Sequence, residues 1–413
     1  MSSVTQTPAP SAPVWTLPEL KRAPAAFREF VRLAARNWSR GVLRIVTPEG
    51  LDIPIRGVDG GPEGRILVKD YRFVGRVLTG GVIGFAEGYI AGEWDTPDLS
   101  ALLEALSLNL ERMKGLIDGN PLAKMANRIG HLFRRNSRSG SKRNIHAHYD
   151  LGNAFYEQWL DPSMTYSSAK YAAPGQDLTA AQRNKYASLA RSMGLQRGQS
   201  VLEIGCGWGG FAEFAASEVG AEVTGITISQ AQYDYAKKRL FDKGLADKAQ
   251  IRLIDYRDVD GAYDRVASIE MFEAVGEEYW PTYFRKVRDV LKPGGRAGLQ
   301  IITIRDELFD RYRRSTDFIQ KYIFPGGVLP SEERLKVRTD EAGLTWGRID
   351  RFAVNYADTL NEWAQRFQAK WDDIRPLGFD ERFRRLWLFY LAYCEAGFRT
   401  GRTDVIQLEL AKA

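Results

Sequence analysis

The sequence predicts an α/β protein: a doubly wound, mostly parallel sheet with covering helices, preceded by a smaller α+β domain. Three observations carry this. From Ser200 onward strand and helix periodicities alternate; the run Val201-Leu-Glu-Ile-Gly-Cys-Gly-Trp-Gly-Gly210 joins the first strand to the first helix through a turn made almost wholly of glycine; and short glycine-punctuated strands precede both. The length of 413 residues and an apolar content of 44% suit two packed domains.

Residues 1–20, rich in Ser, Thr, Pro and Ala, read as a disordered tail, with no apolar core of a secretory signal. Residues 21–120 read as the α+β domain. A helix is expected over about 25–38, then strands at 42–46 and 64–68, with Gly80, Gly81 and Gly84 as turns. Asp95-Thr-Pro-Asp-Leu99 opens a further helix, with Thr96 or Asp98 as its cap and Pro97 in its first turn. Residues 121–144 form a basic linker or helix: positions 121–143 hold seven Lys and Arg and no acid. Leu122, Met125, Ile129, Leu132 and Phe133 give it an apolar side, the pattern of a segment lying on an anionic membrane surface.

The net charge of +6 is too mild to indicate nucleic acid. Two distant cysteines exclude a disulfide framework, and three histidines leave few ligands for a metal, so none is expected. No run approaches the roughly 20 apolar residues of a membrane span. The expected location is cytoplasmic, peripherally associated with the inner face of the membrane.

Residues 145–413 form the second domain. Its elements are read at 201–204, 210–219, 221–227, 229–243, 250–253, 265–269, 279–291 and 297–304, with Leu291-Lys-Pro-Gly-Gly295 ending a helix on its glycines. Ligands of such sheets bind at the carboxyl ends of the strands. Residues 205–210, 227–230, 255–256 and 270–273 therefore share one rim. In the glycine turn, Gly205, Gly207, Gly209 and Gly210 let a ligand lie on the backbone, beneath the positive end of the following helix. The turn lacks the Lys-Ser/Thr of a P-loop, and its acid, Glu203, precedes the glycines instead of ending the next strand. Strand, acid, Gly-x-Gly-x-Gly is the pattern of class I methyltransferases, which hold S-adenosylmethionine there.

The chain resembles the cyclopropane-fatty-acid synthase and mycolic acid cyclopropane synthase family. The motifs are HYDLGN from His148, LDPSMTYSSA from Leu160, VLEIGCGWGG from Val201, GITIS from Gly225, MFEAVG from Met271, YIFPGGVLPS from Tyr322, NYADTL from Asn355 and YCEAGFR from Tyr393. Residues 80–95 are similar to the N-terminal domain of the bacterial enzymes. The resemblance implies methyl transfer from S-adenosylmethionine to the cis double bond of an acyl chain in a membrane phospholipid. It also points to a homodimer.

Cofactor contacts implied by the resemblance are Tyr166, Ser167, the loop with Gly205, Cys206, Gly207 and Gly209, and Thr227, Gln230 and Asp255. Glu203 and Ser229 sit with them, and Tyr256 is expected to wall the adenine. Asp255 reads equally as a helix cap, and Trp208 equally as core. The alkene is its own nucleophile, so the protein supplies alignment and excludes water from the cation that forms. Tyr149, Phe272, Tyr322, Phe324 and Tyr356 are candidate aromatic faces for that cation.

In ring-forming members a bicarbonate ion, held by Glu, His, Tyr and Cys positions, removes the last proton. Glu273, Tyr356 and Cys394 match those positions. Ser168 stands for the expected Cys, and Ile302, which has no side-chain donor, stands for the expected His. Gln300, two residues earlier on the same strand face, is placed to substitute in part. The resemblance therefore implies methyl transfer and leaves the product open between a cyclopropane and a methyl- or methylene-branched chain. Two other classes are weighed. A small-molecule O- or N-methyltransferase fits the core alone, but not the basic apolar segment. A non-catalytic lipid-binding protein would not need Glu203 and the four glycines.

Overall fold

A computed structural model describes residues 18–113 and 151–412. The chain divides into two compact units, Met1–Ala123 and Lys124–Ala413.

In the first unit helix α1 (Ala25–Asn37) buries Phe27, Phe30, Val31 and Ala34, an i, i+3, i+4, i+7 stripe. Strands β1 (Arg40–Val46), β2 (Asp52–Arg56), β3 (Asp59–Val68) and β4 (Trp94–Asp95) form a sheet ordered β2-β1-β3-β4. One reading is corrected here: Gly80, Gly81 and Gly84 are not turns. They lie inside α2 (Arg72–Ile90), which kinks at Gly81, where φ is 58° and ψ −133°. Gly84 lets the two halves touch, since a methyl group there would lie 1.9 Å from the Arg76 carbonyl oxygen. Asp98 caps α3 (Leu99–Asn109) by accepting from the Ala101 amide, and Pro97 stands before the cap instead of in the first turn.

Among the described residues, the second unit begins with α4 (Asn153–Glu157) and α5 (Leu178–Ser192). Its seven-stranded sheet runs β10-β11-β9-β8-β5-β6-β7. β5 (Ser200–Ile204), β6 (Glu222–Thr227), β7 (Ala249–Leu253), β8 (Tyr263–Ile269) and β9 (Leu291–Ile304) are mutually parallel. β11 (Thr403–Lys412) enters antiparallel beside β9 and carries β10 (Leu344–Arg351). The sheet reverses its winding at β5 and β8, so the crevice of a doubly wound fold opens where those two strands end. Helices α6 (Gly210–Phe214), α7 (Gln230–Asp242) and α8 (Trp280–Val290) link the strands. Later come α9 (Asp306–Tyr312), α10 (Phe318–Tyr322), α11 (Glu332–Glu341), α12 (Ala353–Ala369), the short α13 (Trp371–Ile374) and α14 (Glu381–Arg399).

At the end of α8 the structure differs from the glycine-capped stop read from sequence. The helix leaves through extended Leu291, and the pairing of β8 with β9 jumps from Leu291 to Arg296. Lys292-Pro-Gly-Gly295 is thus a bulge entering β9, with Gly294 at φ 70°. The core lies on both faces of the sheet. One side gathers Leu202, Ile204, Phe272, Trp280, Tyr283 and Phe284. The other packs α5 and α6 through Leu189, Val201, Phe211, Ala212 and Ala267.

Candidate active site

β5, β6, β7 and β8 end at Ile204, Thr227, Leu253 and Ile269, and being parallel they bring the four following segments to one rim. The glycine turn divides by function. A methyl group at Gly205 (φ 82°) would lie 2.6 Å from Met271 Cγ, and one at Gly210 would lie 2.4 Å from the Tyr186 hydroxyl. At Gly209 it would meet Ala236 Cβ at 3.1 Å. These three glycines are demanded by the protein's own packing. Gly207 alone faces open space, with no heavy atom within 4 Å. The amides of Gly205 and Cys206 both donate to the Ile226 carbonyl. The Cys206 side chain is buried in the core against Gly225, so it offers a ligand no thiol. Trp208 is also buried; its indole donates to Asn153 Oδ1 and its ring packs on Tyr156.

Glu203 is 3% exposed. It accepts from the Ala212 amide at the start of the loop's helix, and its Oε2 has no hydrogen-bond partner among the described residues. Burial pushes its carboxyl well up, opposed by the charge of Lys185. Lys185, 0% exposed, is a site residue the sequence reading missed. Its Nζ donates to Ser167 Oγ at 2.6 Å and lies over the Tyr186 ring. Burial draws the ammonium down to about 7, against the pull of Glu270, Asp161 and Glu203. Its signal was available: Leu178, Ala181, Gln182, Lys185, Tyr186 and Leu189 follow helical spacing, so a cation sat on an apolar stripe. Gln182 on that stripe donates to the Ser167 carbonyl.

The segment 160–169 is fixed from several sides. Asp161 accepts from the Ser163 and Thr165 amides, and the Thr165 hydroxyl meets the Tyr186 hydroxyl at 2.5 Å. The Tyr166 hydroxyl lies 2.8 Å from that of Tyr390, and its ring packs against Trp363. At the β6 end, Thr227 donates to Gln232 Oε1 and accepts from the Ser229 amide, while Ser229 caps α7. Gln230 is exposed, and its side-chain amide donates to Asp234. The buried glutamine at this rim is Gln232, three residues after the Ser229 cap, a spacing the sequence displayed.

Asp255 is the helix cap of its alternative reading: it accepts from the Arg257 amide and pairs with the Arg257 guanidinium at 2.6 Å. Tyr256 leans on Tyr283 of the core, its hydroxyl buried without a hydrogen-bond partner among the described residues. Burial raises its phenol to about 12. Phe272 is corrected outright as a pocket face, being 1% exposed and packed among Trp280, Tyr283 and Phe284. Tyr322 packs on Phe318, and Phe324 lies 6.2 Å from Tyr390. Tyr149 and the basic segment 121–144 fall outside the described residues.

The last group lies where β8 ends. Glu270, at φ 50°, receives three donors: the Ser168 amide (2.9 Å) and Gln300 Nε2 (2.8 Å) on Oε1, and the Tyr356 hydroxyl (2.6 Å) on Oε2. Gln300 is itself held through its carbonyl by Gln407. Glu273 accepts the Ile302 amide at 2.5 Å on Oε1, while its buried Oε2 has no hydrogen-bond partner among the described residues. Burial, with the charge of Glu270 added, raises the Glu273 carboxyl to about 8. Burial raises Glu270 too, but donation from Tyr356 and Gln300 and the charge of Lys185 work against it. Tyr356 stacks on Phe398 at 4.4 Å. Cys394, on α14, lies within electrostatic reach of Tyr356 and Tyr390, its thiol pushed up by burial. The Ser168 hydroxyl donates to the Ala169 carbonyl, so Ser168 offers its amide alone.

Gly207 opening on space, the N-terminus of α6 and the Tyr166–Ser167 turn fit an extended ligand carrying a carboxylate, as S-adenosylmethionine does. A bicarbonate ion fits poorly. The Ser168 amide, the Tyr356 hydroxyl and Gln300 already serve Glu270, and a second carboxylate stands beside them.

A doubly wound sheet with this rim defines a class I S-adenosylmethionine-dependent methyltransferase. Residues 136–408 match the mycolic acid cyclopropane synthetase family, and the chain belongs to it. It is 40% identical over 347 residues to the tuberculostearic acid methyltransferase of Mycobacterium tuberculosis, covering 82% of this chain and 80% of the relative. It is 33% identical over 397 residues to the cyclopropane-fatty-acyl-phospholipid synthase of Escherichia coli, covering 93% and 96%. Among solved structures, the mycolic acid cyclopropane synthase CmaA1, complexed with SAH and CTAB, aligns with a TM-score of 0.62 at 30% identity. That alignment covers 66% of this chain and 98% of the other.

Proposed function

We propose that this enzyme transfers the methyl group of S-adenosylmethionine to the cis double bond of an unsaturated acyl chain in a membrane phospholipid. The observation that carries the reading is an aromatic wall that reaches Glu270 through the Tyr356 hydroxyl: Tyr166, Tyr356, Trp363, Tyr390 and Phe398 are joined by ring contacts and one hydroxyl pair. Such a wall suits an alkyl chain, and its ring faces favour a carbocation. The names of the relatives support it, since both place a methyltransferase or synthase on a fatty acyl chain.

The donor's sulfonium supplies the electrophilic methyl group. Ser167, oriented by Lys185 and Gln182, and the positive end of α6 receive its amino-acid part. The buried Gln232 and Thr227 take the ribose hydroxyls. Tyr166 and Tyr356 present their rings to the alkene, and the largely buried aromatic wall keeps water from the cation. The basic segment 121–144 docks the enzyme on the anionic inner face of the membrane as a peripheral protein, acting as a homodimer. No helix among the described residues is long and apolar enough to cross a membrane.

The test is incubation with methyl-labelled S-adenosylmethionine and vesicles of dioleoyl phosphatidylglycerol, against vesicles of the saturated lipid and soluble amine and phenol acceptors. Label is expected in the unsaturated phospholipid alone. Transfer to a soluble acceptor only would refute the reading. NMR of the product distinguishes ring from branch.

A further inference from the structure

Methyl transfer to an alkene is incomplete without a base. The π electrons form the new C–C bond, the S–CH3 bond breaks with its pair staying on sulfur, and a carbocation remains. A neutral product forms only when a C–H pair collapses into a ring bond or a new double bond and the proton leaves to an acceptor. Such a proton is strongly acidic, so the acceptor needs a free lone pair at the right place more than high basicity.

We infer that Glu270 is this proton acceptor, a resident carboxylate standing where an exchangeable anion would otherwise be required; the inference rests on the methyl-transfer reading above. The alternatives in the pocket are poorly suited. The Tyr356 hydroxyl donates to Glu270, the Ser168 hydroxyl donates to Ala169, and the Cys394 thiol is kept protonated by burial. Of the two acids, Glu270 has three donors from distant parts of the chain to hold its charge, and Glu273 has the Ile302 amide and its own. Neighbouring carboxylates resist double ionisation, so the better-solvated one carries the charge and the other keeps a proton. A carboxylate offers about four acceptor positions. Glu270 uses three in the described contacts, which leaves one for the departing proton.

The backbone agrees. A glutamate with φ at 50° is uncommon, because its Cβ is crowded in the left-handed region. The chain holds that conformation at the end of β8, beside the pocket, with the Glu270 amide anchored on the Gln300 carbonyl. The same contacts explain the misfit of bicarbonate. Its donors are already taken, and the position of Ile302 gives only a backbone amide, which serves Glu273.

The experiment uses the full chain, dioleoyl phosphatidylglycerol vesicles and isotopically labelled bicarbonate observed by NMR. Wild-type turnover is expected to be the same in carbonate-free buffer and with added bicarbonate, and the wild type is expected not to bind the labelled ion. Glu270→Gln should lower methyl transfer by about 100-fold or more, the usual weight of a positioned base, while S-adenosylhomocysteine affinity stays within about threefold. Glu270→Gly should lose activity similarly but gain bicarbonate binding, with added formate or bicarbonate restoring about tenfold, because the three donors are released to a free anion. Thermal melting and cofactor binding establish that each variant is folded. Bicarbonate-dependent turnover or bicarbonate binding by the wild type would overturn the assignment. So would Glu270→Gln retaining more than about a tenth of activity. If the wild type labels no lipid, the methyl-transfer reading fails, and the binding arm still reads whether Glu270 fills the anion position.

Discussion

The glycine turn and the carboxylate pair lie on the same rim and are built on opposite logics. The turn at 205–210 is a local object in its backbone: its residues are consecutive, its conformation follows from glycine, and its Gly205 and Cys206 amides bond to the next strand, although Met271, Tyr186 and Ala236 pack on its glycines from elsewhere. The pair is a tertiary object. Glu270 receives donors from three distant places, the loop at Ser168, strand β9 at Gln300 and helix α12 at Tyr356. Binding a cofactor by backbone needs little more than a well-shaped turn. Holding a charge in a dry pocket needs donors from every side, since an unpaired buried charge is costly.

Substitutions can separate the two. The largest effect is expected at the pair, where Glu270→Gln removes turnover by about 100-fold with cofactor affinity nearly unchanged; equal losses in both would merge the two regions into one. Next, Gly205→Ala forces a methyl group against Met271, next to Glu270, and places alanine at φ 82°. Melting should fall by about 2 kcal/mol equivalent, with turnover damaged. Gly207→Ala, facing open space, should cost only about 1 kcal/mol of stability and weaken S-adenosylmethionine binding instead, as calorimetry would read.

A subtler effect concerns Glu273. Its carboxyl is raised from 4.5 to about 8 in the fold, so the folded state binds that proton more tightly than the unfolded chain. The stability it lends is complete below about pH 4.5 and disappears as pH rises through 8. Glu273→Gln should therefore melt higher than wild type at pH 8.5 and no higher at pH 4.5, by about 1–2 kcal/mol at the alkaline end. A constant difference across that range would deny the raised carboxyl. The smallest contrast lies at the β6 end. Gln232→Ala should weaken cofactor binding by about tenfold through one lost hydrogen bond, and exposed Gln230→Ala should leave it unchanged.

Much of the sheet was legible because strand and helix periodicities are local, and the rim followed from the rule that ligands meet strand ends. Where the reading slipped, a nonlocal contact decided. Gly80, Gly81 and Gly84 look like turns until α2 is seen to fold back on itself at Gly84. Phe272 looks like a pocket aromatic until Trp280 and Phe284 close on it. Gln230 and Gln232 differ only in which way a helix start turns them. Lys185 was readable as a cation on an apolar stripe, yet its partner Ser167 lies 18 residues away and on a loop.

By itself, then, the sequence determined the doubly wound fold, the glycine turn and, through its motif order, the family. These rest on backbone preferences and on side chains a few residues apart. The tertiary structure alone decided which glycine faces a ligand and which acid can hold a charge. Both depend on what packs against a residue from elsewhere in the chain. Glu270 and Glu273 are two acids three residues apart, and the donors and charges packed around each give them different chemistry.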